Sequence, residues 1–79
     1  MADKLLDARD LRCPMPILKA TKAIKDVPVG GTLEVLATDP GSQEDFEAFC
    51  RVGHHVMVDE SVADGVFRFV IRRGAPAAG

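Results

Sequence analysis

The order of apolar and polar positions divides the chain into six segments. Lys4–Ala8 has the character of a short strand, closed by a charged turn over Arg9–Arg12. From Pro14 to about Lys25, Ile17, Ala20, Thr21 and Ile24 recur at i, i+3, i+4 and i+7, while Lys19, Lys22 and Lys25 lie largely on other faces, which predicts an amphipathic helix. Pro28 and Gly30-Gly31 stop that helix and turn the chain. Thr32–Thr38 alternates cleanly, with Leu33, Val35 and Ala37 on one side and Thr32, Glu34 and Leu36 on the other. Asp39-Pro40 predicts a second helix start, since aspartate suits the cap and proline the first helical position; Ser42 is a competing cap. Phe46, Phe49, Cys50 and Val52 give this helix an apolar side, Glu44, Asp45 and Glu47 load its beginning with favourable negative charge, and Gly53 is expected to end it. His55–Glu60 and Val66–Arg72 read as two further strands, the second alternating Phe67, Phe69, Ile71 against Arg68, Val70, Arg72. Ala63-Asp64-Gly65 is the hairpin turn between them.

The resulting order, βαβαββ, predicts an α/β fold. The first two strands flank a helix and should run parallel, and the last two form a hairpin, so the expected architecture is a two-layer sandwich with two helices on one face of a four-stranded mixed sheet. Residues 1–73 form the single domain, and 74–79, made only of Gly, Ala and Pro, form an expected disordered tail. At 79 residues the chain buries only about 60% of its unfolded surface, so a large enclosed cavity is not expected and chemistry should sit on the surface.

Charge excludes some functions. Residues 1–38 carry six basic against five acidic side chains, residues 39–64 seven acidic against Arg51 alone, and residues 65–79 three arginines and no acid. A net charge of -2 argues against a dedicated nucleic-acid binder, which concentrates lysine and arginine on one face. No apolar run reaches the ~18 residues that a membrane span needs, and the N-terminus lacks an apolar signal region. A cytoplasmic protein is expected, in which cysteines are reactive, metal-bound or simply buried.

The two cysteines separate by their surroundings. Leu11-Arg12-Cys13-Pro14-Met15-Pro16 places two prolines where only a helix start tolerates them, so Cys13 sits at or just before the cap of the first helix. The positive end of the helix dipole, its free N–H groups and the nearby Arg9, Arg12, Lys19 and Lys22 predict an exposed thiol with a pKa below the free value of about 8.5; Asp10 opposes them. Position 16 is proline, so Cys13 has no resolving cysteine two residues on, as a dithiol oxidoreductase would require. Such a thiol suits holding a group and passing it on. A small buried hydrophobe is the alternative reading of Cys13, and it is the preferred reading of Cys50 beside Phe49. Cys50 with His54 and His55 is a poor zinc set, so the histidines read as junction residues and no metal is expected.

On these residues the chain resembles the TusA/SirA family of small sulfur-carrier proteins. Cys13, Pro14, Met15 and Pro16 match its Cys-Pro-x-Pro motif; Leu6-Asp7-Ala8-Arg9, Leu11-Arg12, Asp39-Pro40 with Asp45, and Gly53-His54 resemble its other segments, from about Leu5 to Arg73. Asp10 stands where the family commonly has glycine, which sets a negative charge near the thiol. The resemblance implies a βαβαββ sandwich and a carrier-type sulfurtransferase without a free-substrate pocket. Cys13 would be its catalytic residue, with Pro14, Pro16 and Arg12 as the supporting motif. It implies that Cys13 takes sulfane sulfur as a persulfide from a donor such as a cysteine desulfurase or rhodanese-like protein. The sulfur then passes to an active cysteine of an acceptor, in tRNA thiolation, molybdenum cofactor formation or sulfur oxidation. No cofactor, no direct nucleic-acid contact and no membrane association are expected, and the protein is expected to be a monomer. The alternatives are a non-catalytic RNA-binding module and a thiol-dependent regulatory module.

Overall fold

The computed structural model describes residues 2–75. Its elements follow in the order β1 (Lys4–Ala8), α1 (Met15–Ala23), a single 3₁₀ turn (Ile24–Asp26), β2 (Thr32–Ala37), α2 (Ser42–Gly53), β3 (Val56–Ala63) and β4 (Val66–Arg72). The four strands form one mixed sheet in the order β1-β2-β4-β3, with β1 parallel to β2 and the other pairs antiparallel. The expected fold class is the observed one. The sequence pattern left open that β4 lies between β2 and β3. That position suits it, because Phe69 and Ile71, opposite Val35 and Leu33, need cover on both sides.

Alternation in the strands decides which face is buried. Leu6 and Ala8 of β1, Leu33, Val35 and Ala37 of β2, Met57 of β3 and Phe69 and Ile71 of β4 pack with Ala20, Ala23, Phe46 and Cys50 of the helices. Alanines at 8, 20, 23 and 37 let the helices approach the sheet closely, and the aromatic residues supply bulk. Phe46 lies 4.8 Å from Phe69 in a stacked pair and 5.8 Å from Phe49 edge to face. On the opposite face Arg68 bridges Glu34 at 2.6 Å and Asp59 at 3.1 Å, tying β2, β4 and β3 side by side.

Several boundaries differ from the sequence reading, each for a local reason. The first helix begins at Met15, with Pro14 as its cap residue, and tightens into the 3₁₀ turn after Ala23 instead of running to Lys25. Thr21, expected on the apolar side, is exposed, and its hydroxyl donates to the Ile17 carbonyl within the helix. Neither Asp39 nor Ser42 caps α2; the cap residue is Gly41. Asp39 instead closes the turn before it, its carboxylate accepting from the Gly41 N–H at 3.0 Å and its carbonyl from the Ser42 N–H at 3.0 Å. α2 ends at Gly53, as expected, but the left-handed residue is the one after it. His54 takes the left-handed conformation (φ 59°), while Gly53 is needed because a Cβ there would lie 2.6 Å from the His55 ring. β3 runs to Ala63 and carries an irregularity between Met57 and Asp59. Asp64 (φ 53°) and Gly65 (φ 76°) form the hairpin turn with both residues left-handed, the form that matches strand twist. Of the expected tail, 76–79 lie outside the described residues, but Gly74 is anchored: its N–H donates to His55 Nδ1 at 3.0 Å.

Phe46 is fully buried at the centre of this thin core. Phe46→Ala should cost about 3–5 kcal/mol, a large share of the ~5–15 kcal/mol total typical of a domain. Urea denaturation followed by circular dichroism should show a midpoint collapsed toward zero denaturant; a loss under about 1 kcal/mol would contradict this packing.

Candidate functional site

β1 and β2 are parallel, so both end at the same edge of the sheet, and the segments that leave them lie side by side. The Asp10 N–H donates to the Thr38 hydroxyl at 2.8 Å, joining the two loops. Asp10 itself is left-handed (φ 66°), a conformation that glycine takes freely and that aspartate tolerates better than most residues. From this junction each chain segment enters its helix, so the N-termini of α1 and α2 face the same region.

Cys13 stands one residue before the α1 cap, exposed. Pro14 is the cap residue, joined to Cys13 by a cis peptide bond, and Pro16, buried, is the second helical residue. Arg12 is exposed; its carbonyl accepts from the Met15 N–H at 2.8 Å, and its side chain borders a small polar crevice with Asp10, Thr38 and Asp39. Cys50, in contrast, is buried in the core and its thiol is pushed up to about 11 by burial, with the Glu60 carboxylate adding to it. The two cysteines thus occupy different environments, Cys13 at the surface and Cys50 in the core.

The electrostatics of Cys13 reverse the expectation. Its pKa lies above its ordinary value, first because the Asp45 carboxyl hydrogen-bonds the thiol, then through partial desolvation and the negative charges of Asp45 and Asp39. The expected support from α1 fails for a structural reason. Pro14 and Pro16 have no N–H, and the Met15 N–H is turned back to Arg12, so only Ile17 among the first three helical residues has one to offer. Arg9, expected to contribute positive charge, is spent on Asp7, bonding it through Nε and Nη2, both at 2.9 Å.

The thiol also borders an open groove of about 710 Å³ between the helices, where a bare surface was expected. Cys13, Pro14 and Asp45 line one end, Ile17, Ile24, Phe49 and Val52 its apolar length, and Lys25, His55 and Arg73 the other end. A small domain does not enclose a cavity, but two helices laid on one sheet face leave a furrow between them, and this one has the size of a small-molecule site. Arg73 is fixed there by donating to the Val27 carbonyl at 2.7 Å and, more weakly, to that of Lys25 at 3.3 Å. His55 rests against Phe49, with ring centroids 5.3 Å apart, and accepts from Gly74; burial, then Arg73 and His54, holds its pKa below the ordinary 6.5. Among the described residues no group of three or more His, Cys, Asp or Glu side chains is arranged to hold a metal, and no helix is long and apolar enough to cross a membrane.

Asp45 and the groove are the parts of this site that residue-by-residue reading missed. The signal for Asp45 was its spacing from Asp39-Pro40, which carried no indication of contact with Cys13. The groove had no sequence signal, because Ile17 and Phe49 look like ordinary core positions.

Comparison with known proteins gives the class. The family model described as Sulfurtransferase TusA matches residues 4–73, a span that includes every element above. A relative from Neisseria meningitidis is 50% identical over 72 residues, covering 91% of this chain and 97% of that one. The sulfur carrier protein TusA of Allochromatium vinosum is 41% identical over 71 residues, 90% of this chain and 93% of that one. The crystal structure of a SirA-like protein from Desulfitobacterium hafniense superposes with a TM-score of 0.79 at 24% identity, covering 91% of this chain and 99% of that one, and so shares the fold. The chain belongs to the TusA family, whose members are sulfur carriers.

Two expectations follow from the site. Iodoacetamide should label Cys13 and spare Cys50 in the native protein, with a rate that still climbs above pH 9; a plateau below that pH would contradict the raised pKa. His55 is held neutral, so the stability it confers is complete above about 6.5 and is lost as pH falls from there toward its lower folded value. Urea midpoints measured between pH 8 and 5.5 should therefore drop for the wild type and drop less for His55→Gln; equal slopes would remove His55 as the cause.

Proposed function

We propose that this protein carries sulfane sulfur as a persulfide on Cys13 and relays it between two proteins. The observation that carries the reading is the placement of Cys13: an exposed thiol at a proline-fixed helix start, in a chain that belongs to a family of sulfur carriers. In the loading step the Cys13 sulfur attacks the terminal sulfur of a donor cysteine persulfide. The new S–S bond forms at Cys13, the donor's S–S bond breaks, and the donor cysteine leaves as a thiol. In the unloading step an acceptor thiol attacks the terminal sulfur on Cys13 in the same manner, and Cys13 returns to the thiol. No external oxidant or reductant is consumed, because the sulfur moves at one oxidation level. Exchange of this kind needs an accessible sulfur rather than a cavity, which fits a carrier that two proteins approach in turn.

Pro14 and Pro16 support the site by fixing where α1 begins, and Arg12, the residue before Cys13, is exposed beside a polar crevice. The donors that fit are a cysteine desulfurase or a rhodanese-like protein, and the acceptor is a relay protein with an active cysteine, within tRNA thiolation, molybdenum cofactor formation or sulfur oxidation. Cys50 takes no part, since its thiol is buried.

Incubation with a cysteine desulfurase and L-cysteine should add the mass of one sulfur atom to the intact protein, and dithiothreitol should remove it. Cys13→Ser should stay unmodified while Cys50→Ala loads normally. Loading that persists in Cys13→Ser would refute the assignment.

A further inference from the structure

The groove end that holds Cys13 also holds a carboxylate that the carrier reading does not use. Asp45 is the fourth residue of α2; its backbone N–H bonds the Gly41 carbonyl at 3.0 Å, so its position is fixed by the first turn of that helix. It is half-buried, it lines the groove together with Cys13, and its negative charge acts on the thiol. Asp39 is close by, since a Cβ placed on Gly41 would lie 3.1 Å from its Oδ2 and 3.7 Å from Asp45 Oδ2. The two acids differ in placement: Asp39 Oδ2 is engaged by the Gly41 N–H, whereas Asp45 lines the groove that Cys13 also lines.

A carboxylate beside a thiol is a poor device for making a resting thiolate, because its charge favours the protonated form. The nucleophile in sulfur exchange is nevertheless the thiolate. The start of α1 offers few N–H groups to stabilise that anion, so the proton has to be taken as the donor arrives. The geometry points to Asp45 as the proton-handling residue of sulfur transfer: it takes the Cys13 proton as the thiol attacks the donor persulfide, and returns it to the leaving donor thiolate. The proton count closes, since the proton lost by Cys13 is the one gained by the donor cysteine, and Asp45 ends as it began. In unloading the roles reverse: Asp45 takes the proton of the acceptor thiol and delivers it to the departing Cys13 sulfur. Positioned acid–base groups of this kind contribute about 10²–10⁴-fold to rate.

The inference rests on Cys13 as the carrier, and two readouts separate it from a plain charge effect. The charged groups of this end are Asp45 and Asp39 on the α2 side and Asp10 and Arg12 on the loop before α1, with Lys25, His55 and Arg73 at the far end of the groove. Asp45→Asn removes the proton acceptor together with its charge; Asp39→Asn removes a neighbouring charge and leaves the Asp45 carboxylate in place. Iodoacetamide labelling reports how readily the Cys13 thiolate forms, and single-turnover sulfur uptake from glutathione persulfide reports transfer. In Asp45→Asn, labelling at pH 7 should rise several-fold while uptake falls at least about tenfold. Uptake should also become steeply pH-dependent, following the thiolate fraction, where the wild type varies little between pH 6 and 8. Asp39→Asn should label faster without losing uptake. Uptake that rises with labelling in Asp45→Asn, or that falls equally in Asp39→Asn, overturns the role. A wild type that takes up no sulfur overturns the carrier reading itself.

Discussion

The parallel pairing of β1 with β2 is the constraint from which the site follows. Strands that run the same way end at the same edge, so the loops after them emerge together and their helices begin together. The bond from the Asp10 N–H to the Thr38 hydroxyl holds the two exits in register. Had β2 been antiparallel to β1, Asp45 would begin its helix at the opposite end of the sheet from Cys13. The helices, both laid on the apolar face by the alternation of Leu33, Val35, Phe69 and Ile71, then have to leave the groove between them.

That arrangement sets the chemistry of the thiol against first intuition. A cysteine before a helix invites the expectation of a stabilised thiolate, because helix starts offer N–H donors and positive potential. The Cys-Pro-x-Pro stretch removes two of those donors and turns a third back on the loop, while the neighbouring helix contributes Asp45 and Asp39. A protonated thiol at an exposed position is less open to oxidation, since oxidation follows thiolate character and access.

Much of the fold was legible because it rests on short-range rules. The alternation of Thr32–Ala37 and Val66–Arg72 specifies strands and their buried sides, and Asp64-Gly65 supplies the hairpin turn. The contrast between an exposed Cys13 and a buried Cys50 was likewise readable, one from flanking prolines and the other from the adjacent Phe49. What failed were the ends of elements and the electrostatics. Asp39-Pro40 has the composition of a helix start, yet Asp39 satisfies its oxygen on a turn one step earlier. Gly53 does end its helix, but His54 supplies the left-handed turn, and Gly53 is kept small by the His55 ring.

The sequence by itself determined the order of elements, the faces they bury and the location of the exposed thiol at a helix start. Each of these depends on residues adjacent in the chain or spaced by one helical or strand repeat. Only the tertiary structure decided that β4 lies between β2 and β3, that a groove runs beside Cys13, and that Asp45, thirty-two positions along the chain, lines that groove with it. Those features depend on which strand ends share an edge of the sheet, and spacing along the sequence carries no record of that.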